Sequence, residues 1–84
     1  MSEQAIMAAA KMYEMRETAR FLLGDRYKEL MDIWGTMITM RAMWNKRGIL
    51  EEVTDMAGKL PEGGDPQAII VMMAAAVELM EPNQ

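Results

Sequence analysis

The sequence predicts an all-α fold, a small four-helix arrangement with three long helices and one short one. Apolar residues recur at intervals of three and four along most of the 84 residues, and the alternation typical of strands is absent. Glycine or proline residues separate the periodic segments. A chain of 84 residues has room for one modest core. We therefore expect a single helical domain over residues 1–84.

The first helix is predicted over residues 3–23. Ser2 is a suitable N-cap, and Gly24 stands where a left-handed residue commonly ends a helix. One face carries small or apolar side chains at a spacing of three and four, and a second row widens this stripe. The first row is Ala5, Ala8, Met12, Met15, Ala19 and Leu22, and the second is Ile6, Ala9, Tyr13 and Phe21.

The second helix is predicted over residues 26–47, with Asp25 as its N-cap and Gly48 as its stop. Apolar side chains cover more than half of its circumference, which indicates contact with two neighbours or with one neighbour and a second subunit. The two-residue link Gly24-Asp25 predicts that the first two helices form an antiparallel hairpin. Gly35 costs a helix interior about 1 kcal/mol relative to alanine and indicates a close helix crossing. The apolar residues are Leu30, Ile33, Trp34, Met37, Ile38, Met40 and Trp44.

Two further helices follow Gly48. Apolar residues at positions 49, 50, 53, 56 and 57 predict a shorter amphipathic helix that ends near Lys59 or Leu60. Residues 61–64, Pro-Glu-Gly-Gly, are the only stretch with the composition of a linker. Asp65 followed by Pro66 predicts the start of the last helix, which runs to about Glu81 before Pro82.

The last helix contains a run of ten residues without a charge, at positions 68–77. A helix that is apolar on every side must be surrounded, and so small a chain has little interior to surround it. We therefore expect a homo-oligomer, with a dimer favoured, in which the second and fourth helices supply the contact. The predicted interface residues are Trp34, Met37, Met40, Trp44, Ile69, Ile70, Met73, Val77 and Met80. The alternative is a monomer in which the other three helices wrap the fourth.

Composition narrows the classes of function. Without Cys or His the chain offers no zinc site, Cys–His nucleophile or Ser–His triad of its own, so we expect no enzyme and no cofactor. A net charge of −4 argues against non-specific binding to nucleic acid. The ten-residue run is shorter than the roughly 20 residues of a membrane span, and the first residues lack a basic leader pattern. We expect a cytoplasmic protein that does not enter the membrane.

Methionine is over-represented, with 12 residues against one Phe and two each of Trp and Tyr. Its flexible thioether fills irregular core gaps, and it also suits surfaces that adapt to different partners. Helical spacing of most of these residues favours core filling as the main role.

Two polar groups are candidate sites. Arg41 and Asn45 lie one turn apart near Arg47, with Trp44 beside them, so they form a possible anion-binding set for a molecule such as a nucleotide. Basic residues at a helix C-terminus also complement the helix dipole, which is the more ordinary interpretation. Glu51, Glu52 and Asp55 form the closest carboxylate group, but they lack the further ligands that magnesium or calcium requires.

These observations predict a non-enzymatic, self-associating helical protein that acts by stoichiometric protein–protein binding, as an inhibitor or adaptor of the kind found in phages and mobile elements. This comparison rests on size and composition alone. The alternative function is an oligomeric sensor or sponge for a small anionic ligand, with Arg41, Asn45 and Arg47 as the binding residues.

Overall fold

The computed structural model describes residues 2–60 and 65–81. Within the first helix it leaves out the side chains of residues 4–6, 8 and 9. Its regular secondary structure consists of helices. Helix α1 spans Glu3–Leu23, α2 spans Tyr27–Asn45, α3 spans Ile49–Gly58 and α4 spans Pro66–Met80. A single 3-10 turn, Gly24–Arg26, joins α1 to α2. No strand occurs within these residues, so the all-α prediction is confirmed.

The junction between α1 and α2 differs from the prediction. Gly24 has the expected left-handed conformation, with φ of +53°. Asp25 lies inside the 3-10 turn, and Arg26 rather than Asp25 is the N-cap of α2. Because α1 packs mainly against α4 and has few contacts with α2, the predicted antiparallel hairpin is not confirmed.

The end of α2 also differs from the prediction. The helix ends at Asn45, and Lys46 takes the left-handed conformation, with φ of 56°, that was expected of a glycine. The amide of Arg47 donates to the carbonyl of Ala42 at 2.9 Å, and the amide of Lys46 donates to that of Met43 at 3.3 Å. These two bonds satisfy the carbonyls of Ala42 and Met43 in a Schellman arrangement. Gly48 is then free to serve as the extended N-cap of α3.

Helix α4 begins as predicted. The Oδ1 atom of Asp65 accepts a hydrogen bond from the amide of Gln67 at 2.9 Å, and Pro66 occupies the first helical position. The predicted linker at residues 61–64 and the predicted stop at Pro82 lie outside the described residues.

Helix α4 is the centre of the fold, since α1, α2 and α3 all pack against it. Three consecutive alanines, Ala74, Ala75 and Ala76, are completely buried, and Met72 and Val77 are buried beside them. Short alanine side chains let neighbouring helix backbones come close to α4 on more than one side. The apolar run that predicted a second chain is therefore largely covered by its own chain.

The core-facing side of α1 is shifted from the predicted stripe. Met12 and Leu23 pack against the core and Ala19 lies inside it. Leu22 and Phe21, both predicted to lie on the apolar stripe, are exposed. Successive residues are rotated by about 100° around a helix. Because Leu23 packs against the core, Phe21 and Leu22 face solvent. The structure does not describe the side chains of the other predicted stripe positions, Ala5, Ala8, Ile6 and Ala9.

Among the described helices, none combines the length and apolarity needed to cross a lipid bilayer.

Candidate functional site

Helix α2 has two apolar faces, and only one of them is covered. Its inner row, at a spacing of four, three and four, is buried and consists of Met31, Gly35, Ile38 and Ala42. A second row with the same spacing lies two residues further on, which places it about 160° around the helix. We call this second row the outer row: Ile33, Met37, Met40 and Trp44, with exposed fractions of 57%, 37%, 65% and 87%.

The predicted interface residues on α2 fall into two groups. Met37, Met40 and Trp44 belong to the outer row, whereas Trp34 is half-buried and packs against the core. Ile33 was not among the predicted interface residues. Its place in the row at a four-three-four spacing is a sequence signal that could have identified it.

The predicted interface residues on α4 face mostly inward. Val77 is buried among side chains of its own chain, which corrects its assignment to a surface contact. Ile69, Ile70 and Met73 are half-buried and pack against the core, while Met80 is exposed near the end of the helix. The available apolar surface on α4 is therefore much smaller than its composition indicates.

The three residues of the predicted anion-binding set do come together, and they enclose a carboxylate of the same chain. Glu52 on α3 is completely buried. Its Oε1 atom accepts hydrogen bonds from Nε of Arg41 at 3.1 Å and from Nδ2 of Asn45 at 3.0 Å. Nη1 of Arg47 lies 3.6 Å from Oε2 of Glu52. A soluble anion would have to displace this internal carboxylate in order to use the same three side chains.

A second carboxylate extends this polar cluster. Asp55 lies 3.3 Å from Nη1 of Arg47 and 2.9 Å from Nζ of Lys59. The adjacent Lys59 ammonium is the main cause that holds the pKa of Asp55 below its ordinary value, with Arg47 contributing. Glu51, the remaining member of the predicted carboxylate group, is exposed. In the part of the chain that the structure describes, no three acidic side chains converge as metal ligands.

Glu52 was missed as the centre of the cluster. The sequence signal was its position three residues after Ile49 and four before Met56, on the same side of α3 as the buried Val53. A carboxylate at a core-facing position requires cationic or hydrogen-bonding partners, and the end of α2 carries both.

Two further ionic groups fasten the end of α4 to the first two helices. The hydroxyl of Tyr27 donates to Oε1 of Glu78 at 2.6 Å, and Nη2 of Arg20 lies 3.4 Å from the same oxygen. Burial and the adjacent Glu78 carboxylate raise the pKa of Tyr27 to about 12. Arg16 donates to Glu81, and this hydrogen bond is the main cause that lowers the pKa of that carboxyl.

The polar clusters therefore link helices to one another, whereas the outer row of α2 stays exposed, from 37% at Met37 to 87% at Trp44, in the part of the chain that the structure describes. No protein-family model, no curated protein and no solved structure matches the chain. The outer row is the candidate functional site, and its chemistry is that of an apolar contact surface.

Proposed function

We propose that this chain is a non-enzymatic helical protein that self-associates, as a homodimer, and acts in the cytoplasm by stoichiometric binding to another protein, as an inhibitor or adaptor. In this proposal the helices form one four-helix unit and the outer row of α2 is the principal contact surface. The observation that carries the proposal is the exposure of four large apolar side chains in a single line, opposite the face that fills the core.

Covering this surface is energetically favourable. Burying a large aliphatic, methionine or aromatic side chain contributes roughly 1.5–3 kcal/mol relative to leaving it exposed. Scattered apolar residues on a surface are common, but a continuous row on one helix face is the pattern by which helices bind helices and grooves. Methionine at the two central positions, Met37 and Met40, allows the row to adapt to more than one partner surface.

A matched pair of substitutions tests the proposal. Met40 and Met7 have the same exposed fraction, 65%, but Met7 belongs to α1 and not to the outer row of α2. We expect Met40→Glu to abolish or strongly weaken self-association in sedimentation equilibrium, because burying an unpaired carboxylate is costly. Met7→Glu should leave the mass unchanged. Circular dichroism should show that both variants remain helical.

The buried Met72 provides a second control. Met72→Glu places the same charge inside the core, so we expect it to unfold the chain rather than to separate subunits. The partner-binding part of the proposal is tested by capturing proteins from native lysate with wild-type, Met7→Glu and Met40→Glu baits. A wild-type chain that is monomeric at all concentrations and captures no protein in a defined ratio would refute the proposal.

The second candidate function is a sensor or sponge for a small anion. The observation that favours it is the convergence of Arg41, Asn45 and Arg47 on one carboxylate, beside the exposed Trp44. In that case a nucleotide would replace Glu52, and the tryptophan fluorescence of the chain should change on titration. A flat response to mono-, di- and cyclic nucleotides would remove this candidate.

A further inference from the structure

Methionine sulfur divides into an accessible set and a protected set. Five methionines are exposed in the part of the chain that the structure describes, and three of them lie on α2. These three are Met37, Met40 and Met43, with exposed fractions of 37%, 65% and 74%. Met31 and Met72, in contrast, are buried in the core. An oxidant dissolved in water therefore reaches the first set more readily than the second.

We infer that the three exposed methionines of α2 are a site of reversible oxidation by hydrogen peroxide, and that this oxidation ends the proposed self-association without unfolding the chain. The inference rests on the proposed function, because it specifies how the proposed contact is regulated. In the reaction the thioether sulfur forms a bond to one peroxide oxygen, the O–O bond breaks, and the second oxygen leaves as water with both protons. The sulfur loses two electrons and becomes a sulfoxide, while the peroxide is reduced.

The positions of these three residues direct oxidation to one side of α2. Steps of three residues spread them over about 120° of the helix, opposite the buried inner row. Met37 and Met40 are the central members of the outer row, and Met43 lies beside it. The chain contains no Cys, so no thiol of its own competes for the oxidant. The sulfur atoms that react first thus lie in or beside the proposed contact surface.

Oxidation changes the character of this surface and leaves the core as it was. A sulfoxide is polar, so covering it with apolar side chains would leave its oxygen without a hydrogen-bond partner, which is unfavourable. Met31 and Met72 remain thioethers, so the packing of the helices is retained. Methionine sulfoxide reductases convert the sulfoxide back to the thioether, which makes the change reversible.

Substitution by leucine separates oxidation of α2 from oxidation elsewhere, because leucine is similar in volume and carries no sulfur. The triple variant Met37→Leu/Met40→Leu/Met43→Leu removes the proposed site. The double variant Met7→Leu/Met80→Leu removes the two exposed methionines that lie outside α2. Each chain is compared with its own untreated sample after exposure to hydrogen peroxide. Peptide mass spectrometry gives the oxidised positions, sedimentation equilibrium gives the dissociation constant, and circular dichroism gives the helicity.

For the wild type we expect sulfoxide at the three α2 positions, intact thioethers at Met31 and Met72, and unchanged helicity. The dissociation constant of the dimer should rise by about tenfold or more. The double variant should respond in the same way, whereas the triple variant should give the same dissociation constant before and after treatment. Methionine sulfoxide reductase should return the oxidised wild type to its untreated value.

Three results would contradict the inference. Oxidation of Met31 or Met72 as fast as that of Met40, or a loss of helicity on treatment, would show that the core is not protected. An unchanged dissociation constant after oxidation of the three α2 positions would overturn the inference and leave the proposed self-association standing. A wild type that is already monomeric before treatment would refute both.

Discussion

At the scale of single residues, the buried carboxylate of Glu52 is the most demanding feature of the molecule. Arg41 and Asn45 at the end of α2, together with Arg47 just beyond it, surround this carboxylate, so the contact between α2 and α3 depends on charge as well as on apolar packing. Removing one partner of a buried charge is generally more harmful than neutralising the pair, because the remaining charge loses its compensation.

We therefore expect Arg41→Ala to lower the free energy of unfolding by about 1–3 kcal/mol, since Glu52 loses a hydrogen bond to a charged donor. The loss stays moderate because Asn45 and Arg47 remain and because Arg41 is itself partly exposed. Urea unfolding followed by circular dichroism measures the change. Arg26→Ala, which removes an exposed arginine outside the cluster, is the control and should change stability by less than about 0.5 kcal/mol.

A double-mutant cycle separates charge pairing from packing. Glu52→Gln should cost less in the Arg41→Ala background than in the wild type, with a coupling of about 0.5–2 kcal/mol. Strictly additive effects would show that Arg41 and Glu52 do not depend on each other.

Tyr27 gives a prediction on pH. Its ordinary pKa is 10.0, and burial together with Glu78 raises the pKa in the folded chain to about 12. The folded state therefore favours the protonated phenol. The stability that protonated Tyr27 contributes is fully present below pH 10 and is lost as the pH rises through 12. The difference in tyrosinate absorbance between wild type and Tyr27→Phe should show no ionisation of Tyr27 near pH 10. A midpoint near 10, with helicity retained, would contradict the assignment.

At the scale of helices, local rules predicted the beginnings and ends unevenly. Gly24 and the pair Asp65-Pro66 behave as their sequence indicates, because each supplies a conformation or a cap that the backbone needs there. The end of α2 was missed because Lys46, a residue that seldom takes positive φ, closes the helix while Gly48 is used by α3. The local pattern cannot show this choice, since it depends on the docking of α3 through Glu52.

The crossing of α2 over α4 provides a prediction at this scale. Gly35 is buried, as a close crossing requires, yet a Cβ atom added there would meet Cδ2 of Leu79 at 3.5 Å, which is an ordinary contact. Alanine therefore fits, and it favours the helix over the unfolded chain. We expect Gly35→Ala to raise the free energy of unfolding by about 0.5–1 kcal/mol in urea titrations.

The matched comparison for this position is Gly35→Leu. The larger side chain overfills the crossing and should cost about 1–3 kcal/mol. If Gly35→Ala were as destabilising as Gly35→Leu, α2 and α4 would have to lie closer together than the structure places them.

At the scale of the whole molecule, the sequence predicted an excess of apolar surface on both α2 and α4, and of these two helices α2 carries the larger exposed row. The apolar run in α4 was predicted to be too large for one chain to cover. The short side chains of Ala74, Ala75 and Ala76 let the three neighbouring helices pack close to α4 and enclose it. The uncovered surface lies on α2. Its inner row includes Gly35 and Ala42, whereas the outer row contains only large side chains, and the close crossing predicted at Gly35 lies on the inner row. Periodicity shows that both rows exist, and the packing of the complete chain shows that the inner row faces α4.

The methionines divide in the same way. Met31 and Met72 are buried, which fits core filling, whereas Met37 and Met40 are exposed on the outer row. Helical spacing favoured core filling as the main role, but it does not show which individual methionines face the core. The exposed pair lies at the centre of the proposed contact, where a flexible side chain can adjust to the opposing surface.

Association and folding should be linked in a measurable way. A folded state that dimerises gains stability with concentration, and each tenfold increase contributes about 0.7 kcal/mol per chain once the dimer predominates. For a domain of this size that corresponds to a rise in Tm of about 3–5 °C. Calorimetry of the wild type and Met7→Glu over a hundredfold range should show this rise, whereas Met40→Glu should melt at one temperature throughout. Because Met7 and Met40 are equally exposed, a shared response of the two variants would show that the outer row does not hold the subunits together.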